Sequence, residues 1–328
     1  MVHVLLLVVS ALAIYFACEW FVNAVEWLGR RLNVGPMAVG SILAAFGTAL
    51  PESVVTFVAV VFGNDEKSKD LGVGAAMGGP LALSTIAYGV VGLTLLALHR
   101  RPASEEFGDL RKLRSDQLWF MSVFVFKVGL GLVAFAIKPW LGLVFFAVYG
   151  LYFWREMTAG GEQDDEEELE PLKLQPRRKD PATWAVAAQT LATLAVIFLA
   201  SQLFVHQLGQ VGPMIGLPAT VTALLLSPIA TELPETLNAI IWVRQGKMKL
   251  ALANISGAMM IQATVPSGLG LLFTPWKFDA PLLISGLVTM AAIGYLLWAL
   301  RGGITRARLA GAIVFYLIFG LLLIPVVG

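Results

Sequence analysis

The sequence has 328 residues, of which 58% are hydrophobic and only 14% are charged. Soluble domains carry roughly 25% charged residues, so this composition and the mean hydropathy of +0.78 exclude an ordinary soluble protein. The formal net charge of +1 gives no indication of a nucleic-acid partner, and we expect none.

Long apolar runs separated by short polar breaks follow one another in the sequence. A helix needs about 20 apolar residues to cross the hydrocarbon core of a bilayer, and these runs have about that length. The sequence therefore predicts an all-α polytopic membrane protein with ten transmembrane helices in the lipid bilayer. The predicted spans are 3–29, 35–62, 71–98, 117–136, 139–156, 183–206, 213–243, 249–273, 280–300 and 306–327.

The distribution of lysine and arginine predicts how these spans are oriented. Basic residues concentrate in alternate connections, for example at Arg100-Arg101 and Arg177-Arg178-Lys179. Because basic residues favour the cytoplasmic side, we expect a multi-pass protein of the cell (inner) membrane with both termini outside. The single cysteine, Cys18, is predicted to be an ordinary residue of the first span, since no Lys or Arg precedes that run as a signal peptide requires.

The segment 157–182 is the long polar stretch of the sequence, acidic where it begins and basic where it ends. We interpret it as a solvated acidic cytoplasmic linker, with a regulatory cation-binding role as the alternative. It separates a first five-helix repeat, 1–156, from a second, 183–328. Because five is odd, the two repeats must cross the membrane with opposite polarity. Two inverted repeats are typical of secondary transporters, whose sites lie near the bilayer midplane.

A short motif occurs once in each predicted repeat, inside an apolar run. Thr48-Ala49-Leu50-Pro51-Glu52 corresponds to Thr231-Glu232-Leu233-Pro234-Glu235, and the same offset extends without a gap back to Phe21-Val22 and Phe204-Val205. A charged side chain at the membrane centre costs roughly 2.5–3.5 kcal/mol or more. Two carboxylates at matched positions therefore indicate one cation site shared by the two halves.

The residue types in this motif favour a hard cation. Proline lacks an N–H and frees carbonyl oxygens one turn back, near 44–47 and 227–230, and such carbonyls need a partner in lipid. Thr48 and Thr231 add hydroxyl oxygens, and Glu52 and Glu235 add carboxylates. Ca2+ binds this mixture of oxygens, whereas the motif offers no thiolate or imidazole for softer metals. We expect the three histidines, His3, His99 and His206, at membrane edges.

The first copy, with the preceding Glu19-Trp20-Phe21-Val22-Asn23-Ala24-Val25-Glu26, resembles the first α-repeat of the cation/calcium antiporter superfamily, and of its prokaryotic sodium/calcium exchangers in particular. The α-repeats are expected at about 35–98 and 213–273. The resemblance implies that Glu52 and Glu235 bind Ca2+, helped by Thr48, Thr231 and backbone carbonyls near Ala45 and Pro228. It also implies that the first and sixth spans slide against the rest to alternate access.

The sequence departs from the family pattern at several polar positions. Ala49 and Glu232 stand where the family commonly has serine, and Gly78-Gly79-Pro80 with Leu83 replaces a polar set in the third span. In the eighth span Gly257-Ala258-Met259 is followed by Gln262, which we include with Glu232 among the candidate ligands. Because several ligands of the family's sodium sites are missing, exchange coupled to protons rather than to Na+ is an alternative hypothesis. The hydroxyl and amide groups expected to compensate in part are Ser84, Thr85, Asn254, Ser256 and Thr264.

Three glutamates of this sequence have roles other than binding the cation as alternatives or expectations. The alternative for Glu232 is a carboxylate turned towards a cytoplasm-side cavity, without a role in transport. Glu26 is expected at the membrane–water interface. Glu19 lies deeper in the first span, and two alternatives stay open for it: it lines the ion pathway, or it has no part in transport.

The leading functional hypothesis is a secondary antiporter that exchanges Ca2+ for Na+, with no cofactor. The alternative is a proton-coupled exchanger of Ca2+ or another divalent cation, although the Gly-Asn-Ala-Ala-Glu-His motif associated with such relatives is absent. An intramembrane enzyme is the remote alternative, because Glu105-Glu106 is followed by Arg111 one position too late for a glutamate protease motif. We expect a monomer and leave an oligomer open.

Overall fold

The computed structural model describes residues 2–62, 66–99, 110–158, 169–214, 225–301 and 303–327. These ranges are helical with short connections and contain no β-strand. We name the helical segments α1 to α10 in chain order.

The helices of the first half begin and end close to the predicted spans. Two of them, α2 and α3, change between α-helix and π-helix along their length, and α5 begins with a 3-10 turn. Their bounds are α1 (Val2–Leu32), α2 (36–62, with π-helix at Val39–Ala44 and Val58–Phe62), α3 (66–97, with π-helix at Leu83–Ala87), α4 (Leu110–Leu132) and α5 (138–158, with Lys138–Leu141 as the 3-10 turn).

In the second half, α7 and α10 are each interrupted. The bounds are α6 (Thr183–Met214), α7 (227–245, divided into Ser227–Thr231 and Leu233–Gln245), α8 (Met248–Phe273), α9 (Ala280–Arg301) and α10 (306–327, divided into Arg306–Gly311 and Ile313–Val327). Residues 215–224 of the predicted span 213–243 lie outside the described residues.

Within the described ranges, six helices are long and apolar enough to cross a membrane. They lie in α1, α3, α6, α8, α9 and α10. The other helices of the described part are shorter, interrupted or more polar; α4, for example, begins with Arg111 and Lys112 and carries Lys127 in its interior. The polytopic all-helical membrane fold predicted from composition is thus what the chain adopts.

Helix α8 lies at the centre, and α1 and α6 form a pair at the side. In the most apolar stretch of α8, 83% of the residues are buried, compared with 28% in α1 and in α6. The pair is antiparallel, because the ring Nδ1 of His3 lies 2.8 Å from Gln207 Oε1 at one end and Gln189 Nε2 donates to Trp20 O at 2.8 Å near the other.

Residues 169–182, which we call the strap, are packed on the α1/α6 pair. Asn23 Nδ2 donates to the carbonyls of Glu170 and Pro171, and Trp27 Nε1 donates to Glu170 O at 2.9 Å. Leu172 is fully buried among Ala24, Trp27, Ala185 and Val186. This half of the predicted linker is therefore docked rather than solvated, because its free carbonyls meet donors from α1; residues 159–168 lie outside the described residues.

A cluster of two buried carboxylates and two partly buried basic side chains joins α4, α5 and α2. Lys112 Nζ lies 2.8 Å from Glu156 Oε2, and Arg155 Nη2 lies 3.1 Å from Asp116 Oδ1. Ser41, in the first π-helical turn of α2, donates to Glu156 Oε2 at 3.4 Å. The cluster fixes the start of α2, and therefore the helix that carries the first motif.

Candidate cation site

The first motif lies in an unbroken helix. The α-helical part of α2, Ala45–Phe57, continues through Pro51, and the π-helical turn Val39–Ala44 comes directly before it. Single π-helical turns are frequent at functional sites. Thr48 is buried and its hydroxyl donates to Ala44 O at 3.1 Å. Ala45 is buried at the end of the π-helical turn, whereas the side chain of Glu52 lies outside the described residues.

The second motif breaks its helix. Ser227–Thr231 ends at Glu232, whose backbone (φ −88°, ψ 10°) leaves the helical region, and a new helix starts at Leu233 with Pro234 in its first turn. Proline is tolerated there because the first N–H groups of a helix have no partner within it. Pro228 O accepts from Thr231 Oγ1 and Glu232 N, both at 3.2 Å.

Glu232 points into the protein interior. Its side chain is only 1% exposed, and Oε1 accepts a hydrogen bond of 2.6 Å from Gln262 Nε2 on α8. A Cβ atom on Gly79 of α3 would lie 2.8 Å from the same Oε1 and 2.2 Å from Gln262 Oε1. The structure does not show Glu232 turned towards a cytoplasm-side cavity, because α3, α7 and α8 enclose its carboxylate.

Glu235 is buried where α1, α7 and α8 meet. Its side chain is 1% exposed. Asn254 Nδ2, on α8, donates to the main-chain oxygen of Glu235 at 3.2 Å, and Cys18 Sγ, on α1, lies 3.8 Å from Pro234 O. Cys18 is thus a fully buried residue of the first helix, as predicted.

Sequence reasoning missed two buried polar residues that follow the motif glutamates. Asn238 lies three residues after Glu235 and is completely buried, and neither of its amide atoms has a hydrogen-bond partner among the described residues. Thr56, four residues after Glu52, is also completely buried, and its hydroxyl has no hydrogen-bond partner among the described residues. Residues three and four apart share a helix face, so the spacing from each glutamate is the signal that identifies them.

The groups expected to replace missing ligands behave differently from one another. The hydroxyls of Ser84, Thr85 and Thr264 donate to carbonyls of their own helices. Ser256 contacts Tyr88 at 2.9 Å. Among the described residues Asn254 Oδ1 has no hydrogen-bond partner, so its amide oxygen is the available ligand of this set.

The small residues of α3 and α8 let each helix approach the motif helix of the other half. A Cβ on Gly78 of α3 would lie 2.8 Å from Pro228 Cγ, and one on Gly257 of α8 would lie 2.0 Å from Ser41 O. The two motif helices also contact each other. These glycines therefore allow helices of the two halves to pack closely beside the motifs.

Two other glutamates and two histidines singled out in the sequence make contacts elsewhere or are exposed. Glu26, expected at the interface, is buried and accepts from Trp242 Nε1 at 2.8 Å and from Lys247 Nζ. Glu19 is half-buried and accepts from Tyr15 OH at 3.4 Å. His99 and His206 are exposed, and Glu105-Glu106 lie outside the described residues.

The side chains within the described residues include no group of three His, Cys, Asp or Glu placed to hold a metal ion. Two carboxylates, Glu232 and Glu235, are buried on α7, and amide oxygens on α7 and α8 accompany them. Carboxylate, amide and carbonyl oxygens are the donor types that suit Ca2+ and other hard cations.

The chain is similar to known membrane exchangers and membrane proteins along most of its length. The family described as "Sodium/calcium exchanger protein" matches residues 2–157 and 185–326. The putative antiporter CaxA of Alkalimonas amylolytica is 25% identical over 328 residues, which cover 98% of this chain and 97% of the relative. The inner membrane protein YrbG of Escherichia coli strain K12 is 25% identical over 84% of this chain and 81% of its own length.

A solved structure has the same fold. The sodium-calcium exchanger NCX_Mj, soaked with Na+ and Ca2+, superimposes with a TM-score of 0.76 at 17% identity, covering 97% of each chain. The two segments that match the family together span most of the sequence, and the matched relatives are exchangers and membrane proteins rather than enzymes. The chain therefore belongs to the sodium/calcium exchanger family of membrane cation antiporters.

Proposed function

We propose that this protein exchanges Ca2+ for Na+ across the cell (inner) membrane, by alternating access at one site between the two motif helices. Glu52 and Glu235 supply the principal carboxylates, with Thr48, Thr231, and the carbonyls of Ala45 and Pro228. Asn238 and Asn254 add amide oxygens. The observation that carries the proposal is the burial of Glu235 beside Asn254, since it places a carboxylate and an amide oxygen, donor types that suit Ca2+, together in the membrane interior.

The helix directions support two inverted five-helix repeats with ten spans. Helices α1 and α6 are antiparallel. Helices α3 and α8 are antiparallel as well, because Lys127 Nζ bridges Ala76 and Ser267 while Gly79 contacts Gln262. Corresponding helices of inverted repeats have opposite directions, as these two pairs do. The proposed topology places both termini outside.

Exchange follows from competition between ions for the same carboxylates. One Ca2+ neutralises two carboxylates, and Na+ ions do so in its place, so the empty site is the costly state in a membrane interior. Access alternates when the α1/α6 pair moves along the centre of the protein. The pair is suited to this because only 28% of the residues in the most apolar stretch of each helix are buried.

The test is 45Ca2+ uptake into proteoliposomes that contain the purified protein and an outward Na+ gradient. We expect uptake to require the gradient and to be abolished in Glu52→Gln and Glu235→Gln. Glu170→Gln is the matched control, because Glu170 is an exposed strap residue whose main chain makes the contacts. Uptake by Glu235→Gln at the wild-type rate contradicts the proposed site.

A second candidate function, proton-coupled exchange, has one observation in its favour. Glu232 is a further buried carboxylate and is hydrogen-bonded to Gln262. At both positions the sequence departs from the family pattern, which has serine at the position of Glu232. A proton on one carboxylate relieves the repulsion between neighbouring acids. Uptake that ignores Na+ but collapses when the pH gradient is removed selects this function, and thermal stability measured with Ca2+, Na+ and pH varied separately provides an independent check.

A further inference from the structure

Lys127 is a lysine in the interior of the protein. Its side chain is fully buried, and Nζ donates to Ala76 O at 2.8 Å and to Ser267 Oγ at 3.1 Å. The ammonium also lies 4.7 Å from the centre of the Phe124 ring. Among the described residues, no carboxylate forms an ion pair with it. A buried charge is normally paired or functional, and here neutral oxygens and an aromatic face surround it.

The ammonium lies close to the Glu232–Gln262 pair along two helices. On α3, Ala76 is three residues from Gly79, which is about 4.5 Å along the helix. On α8, Ser267 is five residues from Gln262, which is about 7.5 Å. Because α3 and α8 are antiparallel, both displacements have the same direction, so the ammonium lies one to two turns beyond the Glu232–Gln262 pair.

We propose that Lys127 is a tethered cation that occupies a cation position between α3 and α8, and thereby lowers the number of Na+ ions that this exchanger binds per cycle. The inference rests on the proposed exchange of Ca2+ for Na+ and concerns its ion count. A carbonyl oxygen, a hydroxyl oxygen and an aromatic face are groups that accept a monovalent cation. The ammonium of Lys127 already holds this position.

The residues around the neighbouring Glu232–Gln262 pair fit a site that needs fewer mobile cations. Gly79 and Leu83 on α3 and Ala258 on α8 carry no polar side chain, and the hydroxyls of Ser84 and Thr264 donate to their own helices. Trp276 Nε1 donates to Lys127 O at 3.1 Å and is itself fully buried, which fixes this turn of α4. The lysine is therefore held in place by backbone contacts as well as by its side chain.

The test compares two substitutions of Lys127 in proteoliposomes, with Na+-driven Ca2+ uptake measured against Na+ concentration. Lys127→Ala removes the charge and opens the space, so a Na+ ion enters and the Hill coefficient for Na+ rises by about one. Lys127→Met removes the charge and fills the space, so the Hill coefficient stays unchanged. In both, loss of a nearby positive charge tightens Ca2+ binding about tenfold, measured by Ca2+-dependent thermal shift of the purified protein.

Lys138→Met is the matched control. Lys138 is also buried and donates to the carbonyls of Leu130, Val133 and Trp276, but it lies in the 3-10 turn at the start of α5, and both ion responses should stay at wild-type values. An unchanged Hill coefficient in folded Lys127→Ala overturns the proposal. If that variant does not fold, unchanged or weaker Ca2+ binding in Lys127→Met overturns it. If the wild-type protein shows no Na+-driven Ca2+ uptake, that result contradicts the proposed exchange function instead. The Ca2+ affinity of Lys127→Met then still tests the proposed role of Lys127.

Discussion

The centre of the protein, formed by α2, α3, α7 and α8, and the α1/α6 pair satisfy their polar groups in different ways. In the centre, buried side chains such as Glu232 and Asn254 bond to neighbouring helices in the interior. In the pair, hydrogen bonds between the helices lie towards their ends, at His3–Gln207 and at Gln189 with Trp20 and Asn23. Only 28% of the residues in the most apolar stretch of each of these helices are buried.

This difference indicates which region is rigid and which can move. Glycines in the centre bring one backbone against another, and close-packed contacts of that kind do not slide. For the proposed movement of the pair along the centre, the bonds that must exchange are those between Glu26 and Trp242 or Lys247 and between Tyr15 and Arg244. The comparison predicts large effects of substitution in the centre and small, local effects in the pair.

The largest effect is expected for Gly257→Ala. The new Cβ would lie 2.0 Å from Ser41 O, a backbone atom that cannot rotate away, so α8 and α2 must separate. Overpacking a core costs about 1–3 kcal/mol, and we expect the upper end of this range in the thermal stability of the purified protein. Gly150→Ala on α5 is the control, because its Cβ would meet nothing within 4 Å. Equal stability of the two variants would break the comparison.

A smaller effect, concentrated on ion binding, is expected for Gly79→Ala. The added Cβ would displace the Gln262 amide and the Glu232 carboxylate, which are side-chain atoms and therefore able to shift. Losing that hydrogen bond costs about 1–3 kcal/mol, because one partner is a carboxylate. We expect a modest fall in thermal stability together with altered Ca2+ affinity. Gly74→Ala on the same helix, where a Cβ meets nothing within 4 Å, should leave both unchanged.

The sequence predicted the helices better than the contacts between them. Apolar runs fix where α1, α8 or α9 begin and end to within a few residues, since each must bury or present a continuous apolar surface. The docking of the strap was not predicted, because its charges suggest solvation while its contacts are made by main-chain atoms. Main-chain bonds leave no compositional signature.

The two motif copies show the same limit at the site. Their sequences match in four of five positions, yet α2 continues through Pro51 while α7 breaks at Glu232. The break brings Glu232 to Gln262, a residue 30 positions away that no local pattern connects with it. Repetition identified the motif, and only the packing of α3 against α7 and α8 explains how the second copy differs.

In the α1/α6 pair, Asn23→Ala should loosen the strap without affecting the centre. Asn23 Oδ1 accepts from Lys173 N at 3.0 Å and from Gln189 Nε2 at 3.1 Å, and its amide donates to two strap carbonyls. Each such bond contributes about 0.5–1.5 kcal/mol. We expect faster proteolysis within 169–182, with Ca2+ affinity unchanged. Trp27→Phe, which removes one donor to Glu170 O, should give a weaker form of the same result; altered Ca2+ affinity in either would show that the strap acts on the site.

The smallest effect is expected for Arg31→Ala, at the end of the same pair. Arg31 Nη2 lies 2.5 Å from Asp180 Oδ1, but the two side chains are 31% and 76% exposed. Exposed ion pairs contribute about 0–1 kcal/mol, because water competes for both charges and salt screens them. Arg31 also donates to Pro181 O of the strap. Proteolysis of the strap should rise less than in Asn23→Ala, and the difference from wild type should shrink at high salt to the part due to that hydrogen bond. A loss as large as that of Asn23→Ala would mean that charge, rather than buried main-chain bonding, holds the strap on α1, and the distinction between the centre and the pair would need a different physical basis.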